Sequence, residues 1–366
     1  MIDQLYKPLH SNGHSFEPLR HKVGLVSESA IDKSLLVKKR MENLPSPRSA
    51  RQRMKDAAKM PEIRKLCGPI WLSGELHILF ADTGVGKSIM AVSIADALTK
   101  GEDFLGLKNE TDPLTVLLYD FELSDKQAEK RYSDELSLEQ YEFDEKFYYD
   151  TIDFIRLDEV DPDGNIDELL FEKIRVDLES TQADVLMIDN VSYLHQFTTQ
   201  KTEAALNLMR RLNKIKREFG ISVLVLAHTP KVNPSEPITI NHLAGSKHLS
   251  NFADSVSAIG RSRQDKNVRF WKQVKPSRSA EIKFHSENVI TCMLGKVDLK
   301  FLTYTLIGYG PEAEHLSKNE DETRNEQKLL AKQLRDEGKT LKEIAIEVLG
   351  NPGSKGTISK WLKDDD

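Results

Sequence analysis

Short apolar runs alternate with longer amphipathic stretches from about residue 67 to residue 310. The runs have the length and β-branched content of buried strands, and the stretches between them have the spacing of helices that cover a sheet. We predict strands at His77–Ala81, Thr115–Tyr119, Val185–Ile188 and Ser222–Leu226, and helices at Ser88–Leu98 and Thr202–Phe219. The alternation indicates an α/β fold whose central sheet is mostly parallel and covered on both faces.

Four later apolar runs predict further strands, and an antiparallel arrangement is considered for the last of them. These strands are Ser255–Ile259, Val268–Val274, Glu281–Phe284 and Phe301–Leu306. Beyond them the pattern changes to that of short helices, so we expect a small all-α domain at residues 326–366. The α/β domain is predicted at residues 67–310, and the polar, acidic residues 311–325 are predicted to be a linker.

The first 66 residues show little apolar periodicity and are predicted to be a basic arm or linker. From Lys38 to Lys65 there are ten Lys or Arg residues against three acids. Such an excess could contact phosphates or an acidic neighbouring subunit, and a solvated linker helix fits equally well.

Composition narrows the class of protein. The formal net charge of the 366 residues is −6, so any contact with nucleic acid must come from local patches. The two cysteines, Cys67 and Cys292, do not form a metal-binding spacing or a disulfide framework. No apolar run approaches the roughly 18 residues of a membrane span, and the first residues lack a signal-peptide pattern. We therefore expect a soluble, cytoplasmic protein.

A glycine-containing loop between a predicted strand and a predicted helix has the chemistry of a phosphate site. Residues 81–88 read Ala-Asp-Thr-Gly-Val-Gly-Lys-Ser and match the P-loop pattern G-x-x-x-x-G-K-[ST] except at the first position. Glycines let backbone N–H groups turn towards phosphate oxygens, the lysine supplies charge to the β- and γ-phosphates, and the serine hydroxyl coordinates Mg²⁺. We predict ATP and Mg²⁺ as cofactors. The nucleotide contacts are Asp82, Thr83, Gly84, Val85, Gly86, Lys87, Ser88 and Ile89.

Polar side chains stand at the carboxyl ends of three other predicted strands, where functional groups of a parallel sheet gather. Glu122 is placed to polarise the water that attacks the γ-phosphate, and Asp120 is its rival. Asp189 follows four apolar residues in the Walker B arrangement, and it joins Ser88 as a predicted Mg²⁺ ligand. His228 could sense the γ-phosphate. Each acid could instead be an ordinary exposed carboxylate.

A run of basic residues follows these strands. It comprises Arg261, Arg263, Arg269, Lys272, Lys275 and Arg278. Such a run is usually a solvated face, but an Arg or Lys at the end of a late strand could reach the γ-phosphate of a neighbouring subunit.

The order of Ala81–Ser88, Tyr119–Glu122, Val185–Asn190 and Leu226–Lys231 resembles the RecA-like ATPases of the hexameric replicative helicase type. Within these, the chain looks most like the plasmid RepA helicase branch of the AAA family ATPases, which residues 245–255 also fit. The resemblance covers roughly residues 67 to 290. It implies a RecA-like P-loop core, hexameric rings with ATP sites between subunits, and single-stranded DNA in the pore.

The resemblance also implies roles for single residues. Lys87 and Ser88 become nucleotide and metal contacts, Glu122 the catalytic base, Asp189 the Walker B acid and His228 the sensor. Lys272, Lys275 and Arg278 lie where such proteins keep basic fingers that act in trans, although the spacing does not match cleanly. We take Lys275 and Arg278 as catalytic candidates.

The C-terminal residues resemble the helix-turn-helix modules of resolvases. Thr340 and Glu343 form a predicted capping box for a helix over 340–349, and Ser354–Lys363 can form the reading helix. An oligomerisation or peptide-binding bundle is the alternative.

These features predict a DNA-associated, oligomeric ATP hydrolase. A RepA-like ring helicase or motor for replication or mobilisation of a plasmid or mobile element is the leading hypothesis. The alternatives are an ATP-switched DNA-binding regulator that does not unwind DNA, and a recombinase-like filament ATPase.

Overall fold

The computed structural model describes residues 41, 46–160, 165–190, 201–229, 233–243, 246–278, 280–317 and 320–363. The chain divides into two compact units, residues 1–62 and residues 63–366. In the first unit, helix α1 (Ala50–Ala57) begins after Ser49, whose hydroxyl accepts a hydrogen bond from Gln52 N. None of its eight residues is buried. Most of the predicted basic arm lies outside the described residues.

The second unit is built on a nine-stranded sheet with the order β11-β10-β9-β8-β3-β7-β6-β4-β5. The six strands from β8 to β5 are parallel, and β9, β10 and β11 are antiparallel to their neighbours. A separate two-stranded sheet is formed by β1 and β2. The strands are β1 Lys65–Cys67, β2 Trp71–Leu72, β3 Leu76–Ala81, β4 Val116–Asp120, β5 Phe147–Asp150, β6 Val185–Asp189, β7 Ser222–His228, β8 Ser255–Arg261, β9 Val268–Lys275, β10 Val289–Val297 and β11 Phe301–Gly310.

Helices of the second unit connect these strands and follow them. They are α2 Lys87–Lys100, α3 Asp125–Arg131, α4 Phe154–Val160, α5 Ile166–Thr181, α6 Lys201–Phe219, α7 Ser246–Phe252, α8 Glu312–Leu316, α9 Glu320–Asp336, α10 Leu341–Leu349 and α11 Lys355–Lys363. The predicted α/β class with a mostly parallel central sheet is therefore confirmed.

Two apolar cores cover the two faces of the large sheet. On one face, Met90 and Ala95 of α2 pack with Leu79 and Leu226 of the central strands. Twelve of the fourteen residues of α2 are buried, because the helix lies between the sheet and β11. On the other face, helices α5 and α6 supply residues such as Leu178 and Leu212 to the second core.

The strand predictions were wrong in two places. Glu281–Phe284 does not form a strand: Gln273 Oε1 accepts hydrogen bonds from Lys283 N and Phe284 N, both at 2.9 Å, in place of a regular ladder. The antiparallel strand comes later, at Val289–Val297, where the burial alternates only in part and the apolar pattern is weak.

The segment predicted as an acidic linker contains helix α8 and the start of α9. Glu312 is only 1% exposed and is bound to Lys272 of β9 and to Ile238 N. A polar residue of this segment is therefore buried because it has both an ion-pair partner and a backbone donor.

The C-terminal helices α9, α10 and α11 have a core of their own. It consists of Ala331, Leu334, Ile344, Ala345, Ile358 and Trp361. The predicted capping box is present, since Thr340 N donates to Glu343 Oε2 at 2.8 Å and Thr340 Oγ1 accepts from Glu343 N at 3.4 Å. No helix in the described part of the chain is long and apolar enough to cross a membrane.

Candidate nucleotide site

The predicted site residues meet at one edge of the sheet because of strand register. Ala81 pairs with His228 across β3 and β7, and Asp120 pairs with Asp189 across β4 and β6. All four strands are parallel, so the residues that follow their carboxyl ends share one edge. The β7 strand separates β3 from β6, so the loop after β3 faces the acids across one strand.

The loop between β3 and α2 depends on two glycines. Gly84 has φ of 72° and Gly86 has φ of 112°, in the range that side chains disfavour. A Cβ at Gly86 would also lie 2.0 Å from Tyr304 Oη. Among the predicted contacts, Val85 and Ile89 have buried side chains, whereas Asp82 and Thr83 are exposed.

Three side chains hold the carbonyl groups of this loop. Arg261 donates to Gly84 O at 2.9 Å, Arg269 Nε to Val85 O at 2.8 Å, and Tyr304 Oη to Gly86 O at 3.0 Å. A peptide plane points its C=O and N–H in opposite directions. The N–H groups of Val85, Gly86 and Lys87 are therefore directed away from these contacts, as a phosphate cradle requires.

The Lys87 ammonium lies inside this loop. Nζ donates to Ala81 O at 3.2 Å and to Asp82 O at 3.5 Å, and it lies 3.1 Å from His228 Nδ1. Burial lowers the pKa of Lys87, while the charges of Asp189, Glu122 and Asp82 act in the opposite direction. A buried cation with neutral acceptors is suited to bind an incoming phosphate.

Asp189 has the chemistry of a cation ligand. Burial raises the pKa of Asp189 to about 7, and a hydrogen bond from Ser88 opposes that shift. Its Oδ2 is buried without a hydrogen-bond partner among the described residues. An orphaned carboxylate oxygen beside a serine hydroxyl fits Mg²⁺, which takes oxygen ligands and is usually held by one or two carboxylates plus phosphates.

Glu122 contacts two neighbouring side chains through one oxygen. Oε1 accepts a hydrogen bond from Asn190 Nδ2 and lies 3.2 Å from His228 Nε2. The rival, Asp120, is 4% exposed and accepts from Glu122 N at 2.8 Å, Leu123 N at 3.1 Å and Tyr149 Oη at 2.8 Å. Because Asp120 is occupied in shaping the turn, the geometry favours Glu122 as the group that reaches a water.

The two predicted fingers lie away from this site. Lys275 pairs with Val256 near the start of β8, whereas Arg269 pairs with Arg261 at its end. Lys275 and Arg278, three residues later, therefore lie towards the opposite edge of the sheet. Lys275 Nζ donates to Ser250 O and Ala253 O, both at 2.7 Å, while Arg278 is exposed.

The other basic residues of the run have partners within the chain. Arg261 and Arg269 bind the phosphate loop, Arg263 binds Leu316 O at 2.9 Å, and Lys272 forms a buried ion pair with Glu312. Four of the six basic residues therefore support this chain's own structure.

Sequence analysis missed two residues of the site. Tyr304 comes from β11, far along the chain, and no local pattern links it to the loop. Asn190 follows the Walker B acid directly, so its position at a strand end was a usable signal.

A cavity of about 680 Å³ lies beside the phosphate loop. Its lining includes Asp82, Thr83, Arg261, Arg263 and Leu316. Lys87, Ser88 and Glu122 do not line it, so this cavity flanks the phosphate site.

Comparisons with known proteins find a family match on the part of the chain that holds this site. A family model described as AAA domain matches residues 44–234. A KaiC-like protein from the hyperthermophilic archaeon Pyrococcus horikoshii OT3 is 13% identical with a TM-score of 0.42, covering 64% of this chain and 90% of its own. A second solved structure, that of an ATPase domain, is 13% identical with a TM-score of 0.48, covering 76% and 99%. No curated protein matches the chain.

The matched region contains the phosphate loop and the strands that carry Glu122, Asp189 and His228. Because this region is more than half of the chain, the protein belongs to the AAA domain family.

Proposed function

We propose that this chain is an oligomeric, DNA-associated ATPase that hydrolyses Mg²⁺-ATP, of the RecA-like replicative helicase type and similar to the plasmid RepA helicases. One observation carries the proposal. The phosphate loop with Lys87, the Ser88–Asp189 pair and the Glu122 carboxylate lie at one edge of the sheet. These are the parts that phosphoryl transfer to water needs.

Each residue has a separate task in this reaction. The loop N–H groups and Lys87 bind the phosphates, and Glu122 accepts a proton from the attacking water. His228 lies 3.1 Å from Lys87 Nζ and 3.2 Å from Glu122 Oε1, so it is placed to register the γ-phosphate. Ser88 and Asp189 would hold Mg²⁺, which neutralises charge on the phosphate oxygens when it is bound.

An assembly would complete the site. Arg278 is exposed beside Arg210, Lys214 and Arg217 in a cleft of about 710 Å³. In a ring with heterologous contacts, the surface of one subunit faces a different surface of the next. Arg278 suits a finger in trans better than Lys275, because Lys275 Nζ is bound to two carbonyl groups.

The C-terminal unit supports a second candidate function, an ATP-switched regulator that binds a DNA site without unwinding. Helices α9 to α11 have their own core, and α11 begins with Lys355 and ends with Lys363. A helix-turn-helix reading of this unit predicts contacts with duplex phosphates and bases.

The rate of ATP hydrolysis with and without single-stranded DNA separates the two candidates. A motor predicts hydrolysis that single strands stimulate, and the Lys87→Ala and Glu122→Gln variants should lose it. Hydrolysis that single strands do not change, together with ATP-dependent binding of duplex DNA, would instead support the regulator.

A further inference from the structure

Asn190 joins two functional side chains that come from different strands. It follows β6 directly, is 1% exposed, and donates through Nδ2 to Glu122 Oε1. The same Nδ2 lies 2.8 Å from His228 Nε2. Residues at the ends of β4, β6 and β7 thus form one cluster whose centre is a buried amide.

The backbone fixes the two partners of this contact. Asp120 and Asp189 are register partners, and Phe121 N donates to Asp189 O at 2.9 Å. Asp120 Oδ1 accepts from Glu122 N at 2.8 Å. With both backbones held in this way, the Glu122 side chain is oriented mainly by Asn190 and His228.

The hydrogen bonds at His228 cannot all form together. An ammonium can only donate, so the contact with Lys87 makes Nδ1 the acceptor and leaves the proton of a neutral ring on Nε2. Nε2 then donates to Glu122, and it cannot accept from Asn190 at the same time. Asn190 therefore has Glu122 as its acceptor while Lys87 is bound to the ring.

A bound phosphate would change this arrangement. Phosphate oxygens are stronger acceptors for an ammonium than a neutral imidazole, so Lys87 would leave Nδ1. Nε2 could then lose its proton to water while Nδ1 takes one up, and the ring charge would not change. In that form Nε2 accepts from Asn190 and no longer donates to Glu122.

We propose that Asn190 is a positioning residue that ties Glu122 to His228, so that the orientation of the base depends on the ligand at Lys87. This inference rests on the proposed ATP hydrolysis at the same site. It assigns to the buried amide a task in the chemical step and none in holding the nucleotide.

The Asn190→Ala variant tests the assignment through separate measurements of turnover and binding. We expect kcat for ATP to fall about tenfold, the effect of losing roughly one hydrogen bond that orients a catalytic group. The affinity for ADP should stay within about twofold, since Asn190 does not touch the phosphate loop. Asn288→Ala, which removes an amide bound to Lys283 O, is the matched control and should behave as wild type.

Two further variants guard against a purely structural effect. Asn190→Asp places a second carboxylate against Glu122, so it should lower kcat more than Asn190→Ala does. In a double-mutant cycle, Asn190→Ala and His228→Ala should be non-additive, because both act on the same oxygen of Glu122. Additive losses, an unchanged kcat, or an ADP affinity that falls as much as kcat would each overturn the proposal. A wild-type protein without ATPase activity would instead refute the proposed function itself.

Discussion

Lys87 and its neighbours show how single residues define the site. The Lys87 ammonium is 6% exposed and is bound by two backbone carbonyls and one imidazole. Nearby, Asp189 has a carboxylate oxygen without a partner in the described structure. A cation and an anion that are both under-satisfied fit a site that a magnesium-bound phosphate completes.

Gly86 gives a direct test of the loop geometry. A Gly86→Ala change puts a Cβ 2.0 Å from Tyr304 Oη at a φ of 112°, so ATP affinity should fall at least about tenfold as the loop shifts. Gly74→Ala is the control, since Gly74 also has positive φ but its Cβ would meet no atom within 4 Å. Equal ATP affinity in both variants would show that the cradle tolerates displacement.

His77 provides a prediction about pH. Burial lowers the pKa of His77 to about 3, and the ring contacts the hydroxyls of Ser255 and Ser257 at 2.8 and 2.7 Å. The unfolded chain takes up this proton near pH 6.5, so the stability that the neutral ring contributes is present above that pH. It is lost towards pH 3, at up to about 1.4 kcal/mol per pH unit.

Urea unfolding between pH 7.5 and 5 measures this effect. The wild-type protein should lose free energy of unfolding on acidification more steeply than His77→Gln does. The exposed His285→Gln is the control and should follow the wild type. Identical slopes for wild type and His77→Gln would contradict the assignment.

At the residue scale, sequence predicted what local chemistry encodes. The glycine loop, Lys87 and Ser88 form one contiguous motif, so they could be identified without the fold. Tyr304 reaches Gly86 O from 218 positions away, and only the closed sheet brings the two together. Glu122 and Asp120 could not be separated until the hydrogen bonds to Asp120 were known.

Elements with strong periodicity were predictable, and those stabilised by tertiary packing were less so. Helix α2 follows its motif, and the central strands are long apolar runs. By contrast, β5 alternates half-buried and exposed residues, and β10 contains Gly295 and Lys296. Their pairing with neighbouring strands, which a local pattern does not reveal, stabilises both.

The C-terminal helices make a testable element. Trp361 is 5% exposed in the core of α9 to α11, and Trp361→Ala should destabilise this unit by about 3–5 kcal/mol. Hydrogen exchange should then lose protection in residues 341–363 of the full chain. Duplex DNA binding should fall while the basal ATPase rate holds. Loss of both activities together would show that the unit is not separate in function.

For the whole molecule, the main prediction concerns sites shared between subunits. Arg278→Ala should lower the ATPase rate at least about 100-fold if this guanidinium stabilises the transferring phosphoryl group in trans. Arg217→Ala, on the same cleft, is the control and should change the rate little.

Mixing experiments show whether Arg278 acts between chains. In mixed assemblies, Lys87→Ala subunits supply Arg278 and Arg278→Ala subunits supply an intact loop. Each variant alone should be inactive, and the mixture should regain part of the rate. A fully active monomer, or a mixture that regains nothing, would contradict a shared site.

The most direct measurement of the central claim is ATP turnover and ATP binding on the same preparations of wild type and Glu122→Gln. If Glu122 is the base at a site formed by Lys87, Ser88 and Asp189, the variant should bind Mg²⁺-ATP about as well as wild type and hydrolyse it at least about 100-fold more slowly. A variant that hydrolyses ATP at the wild-type rate would show that another group activates the water, and the assignment of this site would be wrong.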